Sequence, residues 1–369
     1  MAWPVLRYSK AQVDKAGETL ASENLFGDTD TALDILSNWR AAHSFALNTM
    51  QMGLRQRARI IDEHALIVQR VKRISSIIQK LRRFPAMKLS RMQDIGGCRA
   101  VVETVEQVRD LHKKYRGSHQ RHNLANRKDY VVQPKPSGYR GIHLIYRYQG
   151  KPDAPHNGRL IEIQLRSKLQ HAWATAVETV GVFLDQALKS SVGSEDWLRF
   201  FTLAGSAFAW KEAAPLVPGT PSSAKELRKA IKPLWTSLKV ARRLDDFGRA
   251  LAVLDNFPKK RAYYFLLHLR QSHDASARLD ITRFPKASLD TATEQYLTVE
   301  KGLARERGAQ AVLVASESMT ALKRAYPNYF LDTQVFVEEV AVFLGQPLPV
   351  RRRALQLTFP FIDDVGVAS

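Results

Sequence analysis

The chain has 369 residues, 45% hydrophobic and 25% charged, with one cysteine, Cys98. That length suffices for a buried core and two domains, and a lone cysteine excludes an internal disulfide or a cysteine-rich zinc site. With 56 Lys and Arg against 36 Asp and Glu, the net charge is +20 and the pI near 10.1, a field that favours nucleic acid, nucleotides or an acidic partner over a merely solubilising surface.

Met1 to Leu20 is polar and charged, without the apolar run of a signal peptide or membrane span, so a cytoplasmic setting without membrane contact is expected. Leu54 to Arg83 reads as one helix, because Ile67, Val71, Ile74, Ile78 and Leu81 recur at helical spacing, and Phe84-Pro85 ends it. Cys98 to Glu103 is a short β-rich run. Thr104 to Arg116 reads as a helix with a Thr104/Gln107 capping box. Ile142 to Tyr148 and Leu160 to Arg166 alternate as strands, joined by a turn region from Gly150 to Gly158. Ser167 and Gln170 form a second capping box before a helix carrying Leu169, Trp173, Val177, Val180, Leu184 and Leu188. The expected architecture is a mixed α/β (α+β) sheet flanked by helices. Glu212 to Ala224, with three prolines, reads as a linker between residues 1–211 and a C-terminal region 225–369. Strand-like runs at Tyr263 to Leu269, Leu279 to Phe284 and Ala311 to Ala315 predict a small α+β module there, with helical stretches between and after them.

Three motifs carry chemistry in order: Asp94-Ile95-Gly96-Gly97-Cys98-Arg99, then Pro134 to His143, then Leu160 to Arg166. An acid, a basic glycine-containing loop and a second acid look like a magnesium-nucleotide phosphotransfer site. On the last strand Glu162, Gln164 and Arg166 share one face, which suits either a lined cleft or a solvated sheet face. A regular strand would put Asp94 and Arg99 on opposite faces, so the glycine pair either forms a bulge that unites them or lies in an ordinary turn with Asp94 as a cap. Lys135 to Arg140 offers two cations, an aromatic and a permissive glycine. It is either a phosphate-binding loop or a Pro-Gly surface loop, and it is not a P-loop. Basic runs flank these motifs: Arg70 to Arg91 holds eight Lys or Arg and no acid, Arg82 and Arg83 among them, and Lys113, Lys114 and Arg116 follow.

Over about Leu54 to Lys189 these motifs together resemble the synthetase domain of the RelA/SpoT family, whose sheet is nucleotidyltransferase-like. Arg70-Val71-Lys72 with Ser75 to Ile78 resembles its basic substrate helix, Asp94 to Arg99 its first acid motif, Pro134 to His143 its G-loop, and Glu162 to Arg166 its second acid strand, followed by a helix with Trp173. The family transfers pyrophosphate from ATP to a ribose 3′-hydroxyl, releasing AMP. The resemblance implies that Asp94 binds Mg²⁺ and that Glu162 joins the metal site or deprotonates the hydroxyl. It implies that Arg70, Lys72, Arg99 and Lys135 hold ATP, and that Tyr139 stacks on the acceptor base. His143, with Arg140, Gln164 and Arg166, falls in the acceptor and phosphate-binding set. The His/Asp metal set of the family's hydrolase half is absent, since the lone His273-Asp274 pair reads as a surface loop. A short, synthetase-only form is expected.

Short members use either GDP or GTP, making alarmones, or the 3′ end of tRNA, stopping translation. The net charge and the basic runs (Arg82, Arg83, Lys113, Lys114, Arg116) favour tRNA. Tyr326-Pro327-Asn328-Tyr329 resembles the Y-x-x-Y element of CapRel-type fused toxin–antitoxin proteins. That resemblance implies a regulatory role for Tyr326 and Tyr329, intramolecular closure of the site by the C-terminal region, and release by a phage protein.

Overall fold

The structure is a computed structural model. It describes residues 3–22, 28–117, 121–183, 195–241, 244, 264–271, 277–285, 288, 291, 294–296, 298–299, 302, 310–315 and 333–347. Leu184, Leu188, Tyr263, His273, Asp274 and the Tyr326 to Tyr329 element lie outside the described residues.

Three N-terminal helices come first: α1 (Lys10–Ala21), α2 (Thr29–Ala41) and α3 (Ser44–Ile61). Then follow β1 (Leu66–Val71), α4 (Ile74–Arg83), β2 (Gly96–Val102), α5 (Val105–Gly117), β3 (Asn123–Asp129), β4 (Ile142–Arg147), β5 (Leu160–Ser167) and α6 (Lys168–Phe183). The five strands form one mixed sheet in the order β1-β2-β5-β4-β3, with β2 and β5 parallel and the other neighbours antiparallel.

The helix expected over Leu54 to Arg83 is instead the end of α3, a strand and α4. Ile67, Val68 and Val71 are β-branched and pair against β2, from Leu66 opposite Val101 to Val71 opposite Gly96. The apparent helical stripe joins two different faces. Ile67 and Val71 pack on the sheet core, whereas Ile74, Ile78 and Leu81 pack on α1 and α2. Both capping boxes form. The Thr104 N–H donates to Gln107 Oε1 and the Gln107 N–H to Thr104 Oγ1, and Ser167 and Gln170 repeat the exchange.

Alternation sorts the sheet into two faces. Cys98, Ala100, Ile142, Leu144, Ile161, Ile163 and Leu165 form an apolar face under α3 and α5. The opposite face carries Arg99, His143, Glu162 and Gln164. Two further cores reach that polar face. One, from α1, α2 and α4, includes Ile95 beside Asp94, which gives residues 1–51 a structural role that their sequence did not disclose. The other joins α6, α7 (Glu195–Lys211), α8 (Ala224–Ser237) and α9 (Gln334–Leu344), and includes Tyr139.

Within the segment expected as a linker, Glu212 and Val217 are buried, and the Val217 N–H donates to Ser206 Oγ of α7. The chain leaves α7 through Ala213 at φ +46°, and the three prolines lie in a segment packed back on α7. The expected C-terminal strands form an antiparallel sheet, β6 (Tyr264–Gln271), β7 (Ala277–Phe284) and β8 (Gln310–Ala315), in the order β7-β6-β8. Among the described residues no helix is long and apolar enough to cross a membrane.

Candidate active site

The register places the second acid strand at the centre of the site. Gln164 lies opposite Arg99 on β2 and His143 on β4, while Glu162 lies opposite Gly97, which in turn faces Arg70 on β1. Directly paired residues share a face, so Arg70, Arg99, His143, Glu162 and Gln164 line one surface. The glycine pair is no bulge: the β2–β5 register runs unbroken from Gly96 to Val102. The chain turns before the strand, at Asp94. Gly96 is needed for space, since a Cβ there would come within 2.9 Å of Ile161 Cδ1. At Gly97 a Cβ would sit 3.9 Å from Glu162 Oε2, in ordinary contact, so the glycine lies beside the carboxylate.

A continuous hydrogen-bond network crosses this face. His143 Nδ1 is 2.8 Å from Glu162 Oε1, and Gln164 Nε2 donates to Glu162 Oε2 at 2.6 Å. Gln164 Oε1 accepts from Arg99 Nε at 3.1 Å and from Arg166 Nη2 at 3.0 Å. Arg166 Nη2 also donates to Tyr139 Oη at 2.9 Å, and Tyr139 Oη lies 2.5 Å from His143 Nε2. Burial opposes the charge on Glu162, but the His143 hydrogen bond and charge outweigh it and hold the carboxyl at about 2. Burial, then repulsion from Arg166 and Arg70, lowers Arg99 to about 9.

Asp94 is held on both oxygens, with Lys72 Nζ 3.0 Å from Oδ2 and Lys80 Nζ 2.9 Å from Oδ1. Burial would raise its pKa, but the two ammonium groups pull it below the ordinary value, and Glu162 is near enough to push the other way. Lys72 is lowered, mainly by burial.

Tyr139 is 5% exposed. Lys135 Nζ lies 5.0 Å and Arg166 Cζ 5.1 Å from its ring centre, so a base stacking there must displace a cation. The half-buried Tyr130, 4.6 Å from Lys135 Nζ, is a second aromatic at the same loop. Arg140 points away from the acids. It is 3% exposed and ion-paired with Glu212, Nη1 to Oε2 at 2.7 Å, so the structure removes it from the phosphate-facing set. Arg82 and Arg83 are exposed at the end of α4, where Arg82 Nε donates to the Ala21 carbonyl of α1 at 3.2 Å. Lys113, Lys114 and Arg116 are exposed on α5, which covers the apolar face, so the sheet separates them from the carboxylates.

Lys80 and Glu212 were not singled out as site residues from the sequence. Lys80 had a signal, since it lies one turn beyond Ser76 on the polar side of a helix whose Ile74, Ile77, Ile78 and Leu81 are buried. Glu212 had none, because its partner is 72 residues away.

Residues 69–180 match the family model described as "Region found in RelA / SpoT proteins". The chain is similar to GTP pyrophosphokinase YjbM of Bacillus subtilis (strain 168), 30% identical over 128 residues, covering 33% of this chain and 60% of that protein. It is also similar to GTP pyrophosphokinase YwaC of the same strain, 27% identical over 160 residues, covering 40% of this chain and 75% of that protein. The match to YjbM thus spans less than two thirds of that relative. Among solved structures, small alarmone synthetase 1 from Bacillus subtilis aligns with a TM-score of 0.42 at 22% identity, covering 49% of this chain and 93% of that one.

Proposed function

We propose that the chain is an ATP-dependent pyrophosphokinase. A ribose 3′-hydroxyl attacks the β-phosphorus of ATP, the bond between the α,β-bridging oxygen and that phosphorus breaks, AMP leaves, and the hydroxyl proton is lost. The observation that carries this reading is the pairing of Asp94 and Glu162 within one cation-lined surface inside the RelA/SpoT-type region. Transfer of this kind rests on holding two anions in line and neutralising their charge. Lys72, Lys80, Arg70, Arg99 and Lys135 supply the positive groups.

The donor set fits Mg²⁺. Two carboxylates of mutually felt charge stand near Gly97, and magnesium takes one or two carboxylates with phosphate oxygens and water completing its shell. Asp94 and Glu162 would hold the ion, which when bound neutralises charge on the transferred group. A carboxylate held at about 2 is a weak base, so Glu162 suits cation binding and orientation of the acceptor better than proton abstraction.

The acceptor we favour is the tRNA 3′ end, which would make the activity a block on translation. Support comes from the net charge of +20 and from Arg82 and Arg83, exposed at the end of the helix that carries Lys80. The names of YjbM and YwaC favour a second reading, transfer to GDP or GTP. Restraint by the C-terminal region, released by a phage protein, belongs to the first reading. It gains support from Arg40, whose Nε donates to the Lys72 carbonyl at 2.8 Å while Nη2 donates to Tyr296 Oη at 2.6 Å.

The test is incubation of the full chain with Mg²⁺ and γ-labelled ATP, offering deacylated tRNA, GDP or GTP separately, with Glu162→Gln as control. Label on tRNA supports the first acceptor and label on GDP or GTP the second. A wild-type protein that labels none of them, or a Glu162→Gln protein that labels as well as wild type, sinks the assignment.

A further inference from the structure

Helix α7 lies outside the matched region 69–180, yet it backs the basic loop along its length. Thr202 Oγ1 lies 3.3 Å from the Pro136 carbonyl oxygen and shares its one proton between it and the Leu198 carbonyl at 2.9 Å. Gly205 approaches Gly138 so closely that a Cβ on it would stand 2.6 Å from the Gly138 carbonyl oxygen. Trp173 Nε1 donates to the Phe201 carbonyl at 2.8 Å, tying α6 to the same helix. Just past α7, Glu212 completes the contact. Its Oε2 accepts from Arg140 Nη1 at 2.7 Å and from Gln170 Nε2 at 3.0 Å, and its Oε1 accepts from Ser167 Oγ. The Arg140 and Glu212 side chains are only 2% and 6% exposed. Among the described residues Arg140 Nε and Nη2 have no hydrogen-bond partner, so Glu212 is the counter-charge of this guanidinium.

Arg140 is drawn towards Glu212, and Tyr139, just before it, is presented to His143 and Arg166. The geometry points to Glu212 as a positioning residue: by anchoring Arg140 on the far side it sets the loop that offers Lys135 and Tyr139 to the acids. Arg140 acts as the anchor and touches no phosphate. This inference rests on the proposed pyrophosphate transfer for its kinetic consequence, but not for its structural one.

The experiment compares Glu212→Leu, Arg140→Leu and the double variant with the full wild-type chain. Hydrogen exchange of the 134–141 amides should quicken by about tenfold or more in each single variant while β4 and β5 stay protected, since local opening is separable from global unfolding. Turnover at saturating substrates should fall about a hundredfold, as displacement of positioned groups does. ATP should still bind one per chain, and any rise in its KM should be the same in both single variants because Lys135 rides on the loop, whereas a merely structural role would lower stoichiometry and turnover together. The double variant, which buries no unpaired charge, should recover loop protection relative to either single one. If the leucine variants do not fold, Glu212→Gln, which keeps the shape and removes the charge, should give the same loop-confined increase. Wild-type loop exchange in folded Glu212→Leu or Glu212→Gln overturns the proposal. So does a raised KM for ATP or acceptor in Arg140→Leu alone, which would make Arg140 a substrate ligand. If wild type transfers nothing to any acceptor, the reaction reading fails and the exchange comparison still decides the anchor.

Discussion

Lys80 Nζ lies 2.9 Å from Asp94 Oδ1, on the carboxylate oxygen that Lys72 leaves free. A cation arriving at Asp94 must therefore compete with two ammonium groups, unless nucleotide phosphates draw them away. Lys80→Met should lower kcat/KM for ATP about 10- to 100-fold, the scale of one lost charge-assisted hydrogen bond. With one competitor gone, the same variant should bind Mn²⁺ more tightly in the absence of nucleotide, measured by electron paramagnetic resonance titration. Weaker Mn²⁺ binding than wild type would mean that Lys80 organises the carboxylate without competing for it.

Gly138 and Gly205 meet back to back where the basic loop crosses α7. Gly138 has φ +93°, and a Cβ on it would lie 2.8 Å from the Phe201 carbonyl oxygen and 3.1 Å from Trp173 Cζ2. Gly138→Ala combines a left-handed backbone penalty of about 1–2 kcal/mol with overpacking of about 1–3 kcal/mol. A loss of roughly 2–5 kcal/mol in chemical unfolding is expected, together with loss of transfer activity. Gly205→Ala has no backbone penalty but a closer clash, so it should cost about 1–3 kcal/mol. An alanine at either position with wild-type stability would show that the loop does not seat on α7.

Burial alone would raise the phenol of Tyr139. The charges of Arg166 and His143, with the His143 hydrogen bond, outweigh it and bring the group to about 7 from its ordinary 10.0. Because the phenol ionises more readily in the folded chain, ionisation favours the fold. The contribution is complete above pH 10.0 and is lost as the pH falls through about 7. Ultraviolet difference spectroscopy should show one tyrosine ionising near neutral pH. Tyr139→Phe should abolish that step and flatten the rise in thermal stability between those limits. A wild-type spectrum with no tyrosine ionising below pH 9 would contradict the network around Tyr139.

Local pattern in the sequence disclosed whatever depended on neighbours a few residues apart. Period two put Glu162, Gln164 and Arg166 on one face of β5, and the two capping boxes marked the starts of α5 and α6. Misreadings arose where one spacing served two elements. Ile67 and Val71 are as well spaced for a strand as for a helix, and only pairing with β2 decides between them. Long-range relations left no trace in the pattern. Proximity in sequence suggested that Lys113, Lys114 and Arg116 flank the site, but the crossover through α5 carries them over the apolar face. Arg140 looked like a phosphate ligand because nothing near it announces Glu212.

Phe336 of α9 is fully buried against Phe200, Phe201 and Phe208 of α7, so the chain's C-terminal part shares a core with the helix that seats the basic loop. Phe336→Ala should cost about 3–5 kcal/mol, measured by chemical unfolding, and should loosen α7. A cut before residue 326 removes α9 whole and opens that core, so lost activity after such a cut would report unfolding and not the release of a restraint. A point change at the contact with Arg40 avoids this. Tyr296→Phe removes the hydroxyl that accepts from Arg40 Nη2 and leaves the ring over the guanidinium. If the C-terminal region restrains the site through this contact, Tyr296→Phe should raise the basal transfer rate about 10- to 100-fold with the fold intact, because a hydrogen bond to a charged group is worth about 1.5–3 kcal/mol. An unchanged rate in a protein of unchanged stability would leave the Tyr296–Arg40 contact as packing alone.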